Sequence, residues 1–147
     1  MESVSEAVPA APGAHRWQTV MVIVATAQDA AALFRPCFAE ASGEVETLAV
    51  AYLDEARRLI ELLVLPPEGP SHIDLPVRRI VEDALRLGAR GLVVAHNHPS
   101  GDAQPSWDDV EATRELAETA ARLGIRLHDH LIFAGEETAS LRAMGLI

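Results

Sequence analysis

Gly91-Leu92-Val93-Val94-Ala95 is an unbroken apolar run, closed by glycine on one side and His96 on the other. It is too short for a helix and lacks the alternation of a half-solvated strand, so it predicts a central strand buried on both faces. Its neighbours must then supply paired strands and covering helices. Stretches 46–53 and 59–65 have strand composition, and the short polar Asp54-Glu55-Ala56-Arg57-Arg58 between them predicts a hairpin. Stretch 75–87 is an amphipathic helix, apolar at Val77, Ile80, Val81, Ala84, Leu85 and Leu87 and stopped by Gly88. Ser106 can cap a long helix that runs to 123 before Gly124. A further strand over 126–133 precedes a Gly135-Glu136-Glu137 turn and a short C-terminal element.

The N-terminal third is less regular. The pattern over 29–40 predicts a helix with Ala30, Leu33, Phe34 and Phe38 on one side, bent by Pro36. The apolar stretch 17–25 fits either a strand or a helix start. Residues 1–15 read as a flexible tail, and Pro66-Pro67-Glu68-Gly69-Pro70 breaks the chain after the hairpin. The expected class is α/β (α+β), a mixed sheet with helices around it, as one domain over 16–147.

Composition removes several functions. The 147 residues are 49% apolar, which excludes disorder throughout the chain. The longest membrane candidate, 19–27, falls far short of the roughly 20 apolar residues a spanning helix needs. The start, Met-Glu, has no basic n-region, so no secretory signal and a cytoplasmic location are expected. Net charge is −10, from 22 acidic and 12 basic residues, and every basic residue is arginine. Lysine chemistry is therefore excluded, and tight nonspecific nucleic-acid binding is disfavoured. Cys37 is the sole cysteine, which rules out internal disulfides and cysteine-rich zinc sites. Beside Phe34 and Phe38 it reads as a small hydrophobe rather than a nucleophile.

Chemistry concentrates where the central strand ends. His96 and His98 are two apart, so alternation sends both imidazoles to one side. The following loop carries Pro99 and Pro105, and Asp109 falls in the first turn of the next helix, where a carboxylate can be aimed back at the histidines. Two imidazole nitrogens and one carboxylate oxygen leave a fourth tetrahedral position open, the ligand pattern of a catalytic zinc site. Manganese or iron could use the same ligands. The bland alternatives are a satisfied histidine pair and an aspartate that only complements the helix dipole. His130 reads as an interior hydrogen-bonding residue, His15 and His72 as loop residues. Trp107 either lines a groove or, by slight preference, shields the loop.

The pattern His96-x-His98-Pro99-x-Gly101-x4-Ser106-x-x-Asp109 resembles the metal motif of the JAMM (MPN+) metalloprotease superfamily. The wording His-Asn-His-Pro-Ser-Gly, together with Asp129-His130 ahead of a final Gly-Leu-Ile, is similar to the RadC branch of bacterial JAB domains. The likeness covers roughly 46–147. It implies an MPN/JAB (cytidine-deaminase-like) fold, Zn2+ held by His96, His98 and Asp109, and Ser106 hydrogen-bonding the substrate carbonyl or its oxyanion. It also implies a general-base glutamate on an upstream strand. Counting back from Leu53-Asp54 gives Glu46, with Glu44 as the competitor on the same face.

The resemblance implies a peptidase or isopeptidase acting on a peptide or protein. A DNA-processing factor of RadC type, even a metal-dependent nuclease, and a non-catalytic metal-binding scaffold are the alternatives. Departures from the family pattern fall around the site. The DNA-binding segment that usually precedes such a domain is replaced by about thirty apolar-helical residues. The usual Pro-Arg-Glu run reads Pro76-Val77-Arg78-Arg79, and 66–70 stands where a glycine-threonine segment is expected.

Overall fold

The computed structural model describes residues 21–39, 45–65 and 75–147. The tail 1–15, the break at 66–70, Glu44, His15 and His72 lie outside the described residues, as does the first part of 17–25. Helix α1 (Ala27–Ala39) leads into strands β1 (Leu48–Leu53) and β2 (Leu59–Leu65). Helix α2 (Val77–Leu87), strand β3 (Gly91–Asn97) and helix α3 (Trp107–Arg122) follow, then strands β4 (Arg126–Ala134) and β5 (Glu137–Ser140). The strands form one sheet in the order β2-β1-β3-β4-β5. Only β3 and β4 run parallel, and the crossover that a parallel pair requires is α3.

The expected mixed sheet with flanking helices is thus the observed one. Every residue of β3 is buried, as the opening run requires. On one face Val50, Tyr52, Leu92 and Val94 pack against Ile80 and Ala84 of α2 and Leu116 and Ala120 of α3. On the other, Ala49, Ala51, Val93 and Ala95 pack against Ala30 and Phe34 of α1. Cys37, half-buried beside that second cluster, has its thiol pKa raised by burial, as suits a packing residue. No helix among the described residues is long and apolar enough to cross a membrane.

Helix α2 starts at Val77 rather than 75, α3 ends at Arg122 rather than 123 and β4 runs to Ala134 rather than 133. Three further differences from expectation have a local cause. The first helix starts at Ala27 rather than 29, because Thr26 and Asp29 cap it reciprocally: Asp29 accepts from the Thr26 N–H, and the Thr26 hydroxyl accepts from the Asp29 N–H. The described part of 17–25 is neither a helix nor a full strand. It makes one bridge, Ile23 to Arg58, at the hairpin. The strand expected from 46 begins at Leu48, because the Asn97 side chain takes the place of ladder partners. Its Oδ1 accepts from the Thr47 N–H at 2.6 Å, and its Nδ2 donates to the Val45 carbonyl at 3.3 Å.

The all-arginine basic complement fits how these side chains are used. Arg57 donates to the Ala25 carbonyl and to His128 Nδ1, and Arg142 donates to the carbonyls of His128 and Leu127. A forked guanidinium can tie two acceptors at once, whereas an ammonium cannot hold that planar geometry. His128 is half-buried between them and lies so close to Gly91 that a Cβ there would come within 2.5 Å of its Nε2. Burial first, then the charges of Arg57, Arg126 and Arg142, push its pKa down to about 4.

The sign follows from linkage. Unfolded His128 titrates near 6.5, so between about 6.5 and 4 the unfolded chain binds the extra proton and stability falls as pH falls. The urea midpoint should therefore decline across that window, and His128→Gln should flatten the decline. An unchanged slope in the variant would remove His128 from the pH dependence.

Candidate metal centre

The site sits at the C-terminal end of β3, where the parallel pairing with β4 runs out. His96 is the sixth residue of the strand and is 2% exposed. His98 continues the pairing by donating its N–H to the Phe133 carbonyl at 2.8 Å. The chain then turns at Gly101, whose φ of 84° suits glycine, and its N–H bonds back to the His98 carbonyl.

Helix α3 opens with a capping box. The Asp109 N–H donates to Ser106 Oγ at 3.0 Å, and the Ser106 N–H donates to Asp109 Oδ2 at 2.9 Å. The cap fixes where the Asp109 carboxylate points, which is toward the histidines. Asp109 thus fills both roles that sequence reasoning held apart, dipole partner and candidate ligand.

The three candidate ligands converge. His96 Nε2 and His98 Nε2 are 3.0 Å apart, His98 Nε2 and Asp109 Oδ2 3.2 Å, and His96 Nε2 and Asp109 Oδ1 3.5 Å. Among the described residues these three form a group able to hold a metal ion. A tetrahedral ion with bonds of about 2.05 Å separates its ligand atoms by about 3.3 Å, and the closest contacts, which use both carboxylate oxygens, span that value.

Hydrogen bonding decides what those nitrogens present. His98 Nδ1 faces the Asp102 carbonyl at 2.9 Å. A carbonyl only accepts, so Nδ1 carries the hydrogen and Nε2 carries the lone pair. His96 Nδ1 lies 2.6 Å from His130 Nε2. His130 Nδ1 in turn lies 2.7 Å from Thr113 Oγ1, which donates to the Asp109 carbonyl at 2.5 Å. Full burial, reinforced by the neighbouring His96, holds the pKa of His130 well below that of a free imidazole.

Two imidazoles and a carboxylate so close together could hold a cation between them.

The other expected site residues are placed less directly. Ser106 is exposed at the cap, and its hydroxyl hydrogen remains able to donate while its oxygen accepts from Asp109. Glu46 is half-buried and outside the ligand group. It lies two residues ahead of Leu48, which pairs with His96, and between Val45 and Thr47, which the Asn97 side chain bridges. Trp107 is 67% exposed, which corrects the preferred shielding role.

Sequence reasoning missed Asn97 and Thr113, and it placed His130 in the interior without seeing its contact with His96. Thr113 did leave a signal, as a polar residue four after Asp109 within an apolar helical stripe.

A family model described as the RadC-like JAB domain matches residues 24–146. A UPF0758 protein of Bordetella petrii is 41% identical over 103 residues, covering 70% of this chain and 46% of its own length. One of Salinibacter ruber is 34% identical over 132 residues, covering 90% of this chain and 56% of its own length. The chain spans about half the length of these curated relatives.

Proposed function

The chain belongs to the RadC-like JAB domain family, and on that premise we propose that it is a zinc-dependent hydrolase of peptide or isopeptide bonds. The observation that carries this reading is the convergence of His96, His98 and Asp109, each with one ligand atom within 4.8 Å of the others and with closest contacts of 3.0–3.5 Å that use both carboxylate oxygens. Its three ligands leave a fourth tetrahedral position for chemistry. A zinc ion held there supplies Lewis acidity and an activated water at neutral pH.

The chain's own residues do the rest. Glu46, outside the ligand group, takes a proton from the attacking water and returns it to the leaving nitrogen. Ser106 donates its hydroxyl hydrogen to the oxyanion that forms on the scissile carbonyl, at no cost to its capping role. Asp109 and the two histidines would hold the ion. In this reading the substrate is a peptide or protein and the setting is the cytoplasm.

Protein purified with Zn2+ should carry one ion per chain and hydrolyse unstructured peptides or isopeptide-linked substrates. A chelator should stop the reaction and added Zn2+ restore it. Stoichiometric zinc without chelator-sensitive hydrolysis would overturn the peptidase reading. The rival DNA-processing role must overcome a net charge of −10, so gel shifts on single- and double-stranded DNA at several salt concentrations separate the two. Salt-sensitive binding would favour the rival.

A further inference from the structure

We propose that Thr113 and His130 are positioning residues that lock His96 with its hydrogen on Nδ1 and its Nε2 lone pair aimed at the metal position. The inference rests on the metal-centre reading and extends it to two residues outside the ligand set. Its basis is the direction of a chain of hydrogen bonds. Thr113 Oγ1 and the Asp109 carbonyl oxygen are 2.5 Å apart. The carbonyl has no hydrogen, so the threonine hydrogen lies between them.

With that hydrogen committed, Thr113 can only accept from His130 Nδ1 at 2.7 Å. His130 is 1% exposed and, as a neutral ring, has no second hydrogen. Its Nε2 must therefore accept, and the hydrogen in the 2.6 Å contact belongs to His96 Nδ1. A metal-ligating histidine is a neutral imidazole, so with Nδ1 carrying the hydrogen His96 Nε2 offers its lone pair to the metal position. Each step follows from the one before, and the direction is set at a backbone carbonyl that cannot reverse.

The relay does more than choose a tautomer. It begins at the main chain of one ligand, Asp109 on α3, and ends at the ring of another, His96 on β3. The two elements that supply the ligands are thereby joined through β4. Metal-binding histidines commonly donate their second nitrogen to a carboxylate or a carbonyl. Here the acceptor is an imidazole with no formal charge, so a divalent ion with one carboxylate ligand keeps a net positive charge toward substrate.

The full chain and its Thr113→Val, Thr113→Ser, His130→Phe and His130→Gln variants would be titrated with Zn2+ against a chromophoric chelator, with circular dichroism and urea midpoints as checks on folding. Thr113→Val and His130→Phe should weaken zinc binding by about 10–100-fold. Thr113→Ser keeps the hydroxyl, and His130→Gln keeps an acceptor toward His96 and a donor toward Thr113, so both should stay close to the unmodified chain. Long-range 15N–1H spectra of the metal-free protein at pH 8 should show His96 with its hydrogen on Nδ1, and Thr113→Val should give a mixture of tautomers.

A folded Thr113→Val that binds zinc as the unmodified chain does, with the His96 tautomer unchanged, would overturn the proposal. So would failure of Thr113→Ser to restore what Thr113→Val loses. If His130→Phe does not fold, the Thr113 pair decides alone. Failure of the metal-centre reading looks different: His98→Ala would then bind zinc as well as the unmodified chain, while the tautomer spectra would still report on the relay.

Discussion

Glu46→Gln is expected to leave zinc content at the level of the unmodified chain while lowering turnover by about 10²–10⁴-fold, the range of a lost general base. The amide matches the carboxylate in size and fits the same half-buried position, but it cannot take a proton near neutral pH. The segment should stay in place, because it is held by main-chain bonds to Asn97 from Val45 and Thr47 on either side of Glu46. The metal should also stay, because Glu46 lies outside the ligand group. Metal analysis and kcat on the same preparations read both halves. Full turnover in the variant removes Glu46 from the mechanism, and Glu44→Gln then becomes the informative substitution. Equal inactivity of variant and unmodified chain, with zinc bound to both, favours a scaffold.

What the sequence revealed of the site was what local physics decides. His96 and His98 share a side because strand alternation is fixed. The Ser106–Asp109 cap is set by a spacing of three within one turn of helix, and Asp109 inherits its aim from that cap. The central strand and the arginine-bearing hairpin were legible for the same reason.

The parts that stayed hidden depend on contacts far apart in the chain. The start of β1 is decided by Asn97, fifty residues from Thr47, and no propensity at 46–48 reports that. His130 reaches His96 only through the parallel register that sets Val94 beside His130, a register fixed by how α3 crosses over. Trp107 was misjudged because a large aromatic three residues before Val110 suggests a covering role, while the opening turn of α3 leaves it in solvent.

Asp109→Asn should separate the two roles of this aspartate, with the largest effect on metal binding. Asn retains an oxygen that can accept from the Ser106 N–H, and its own N–H still meets Ser106 Oγ, so the capping box survives. With chelator present at pH 8, the urea midpoint should move by less than the equivalent of about 0.5 kcal/mol. Asp109→Ala breaks the box and should cost about 1 kcal/mol under the same conditions. Zinc affinity should fall in both by more than about 100-fold, beyond the loss from a residue that only supports a ligand. The sole anionic ligand is gone, and the asparagine oxygen is turned to the cap rather than to the ion. Thermal melts report the difference directly, since a ligand that binds only the folded state raises its stability in proportion to RT ln(1 + [L]/Kd). Added Zn2+ should raise the Tm of the unmodified chain and leave that of Asp109→Asn almost unmoved. An undiminished zinc-induced shift in Asp109→Asn would mean that the carboxylate serves only the helix, and that the ion, if bound, is held by other groups.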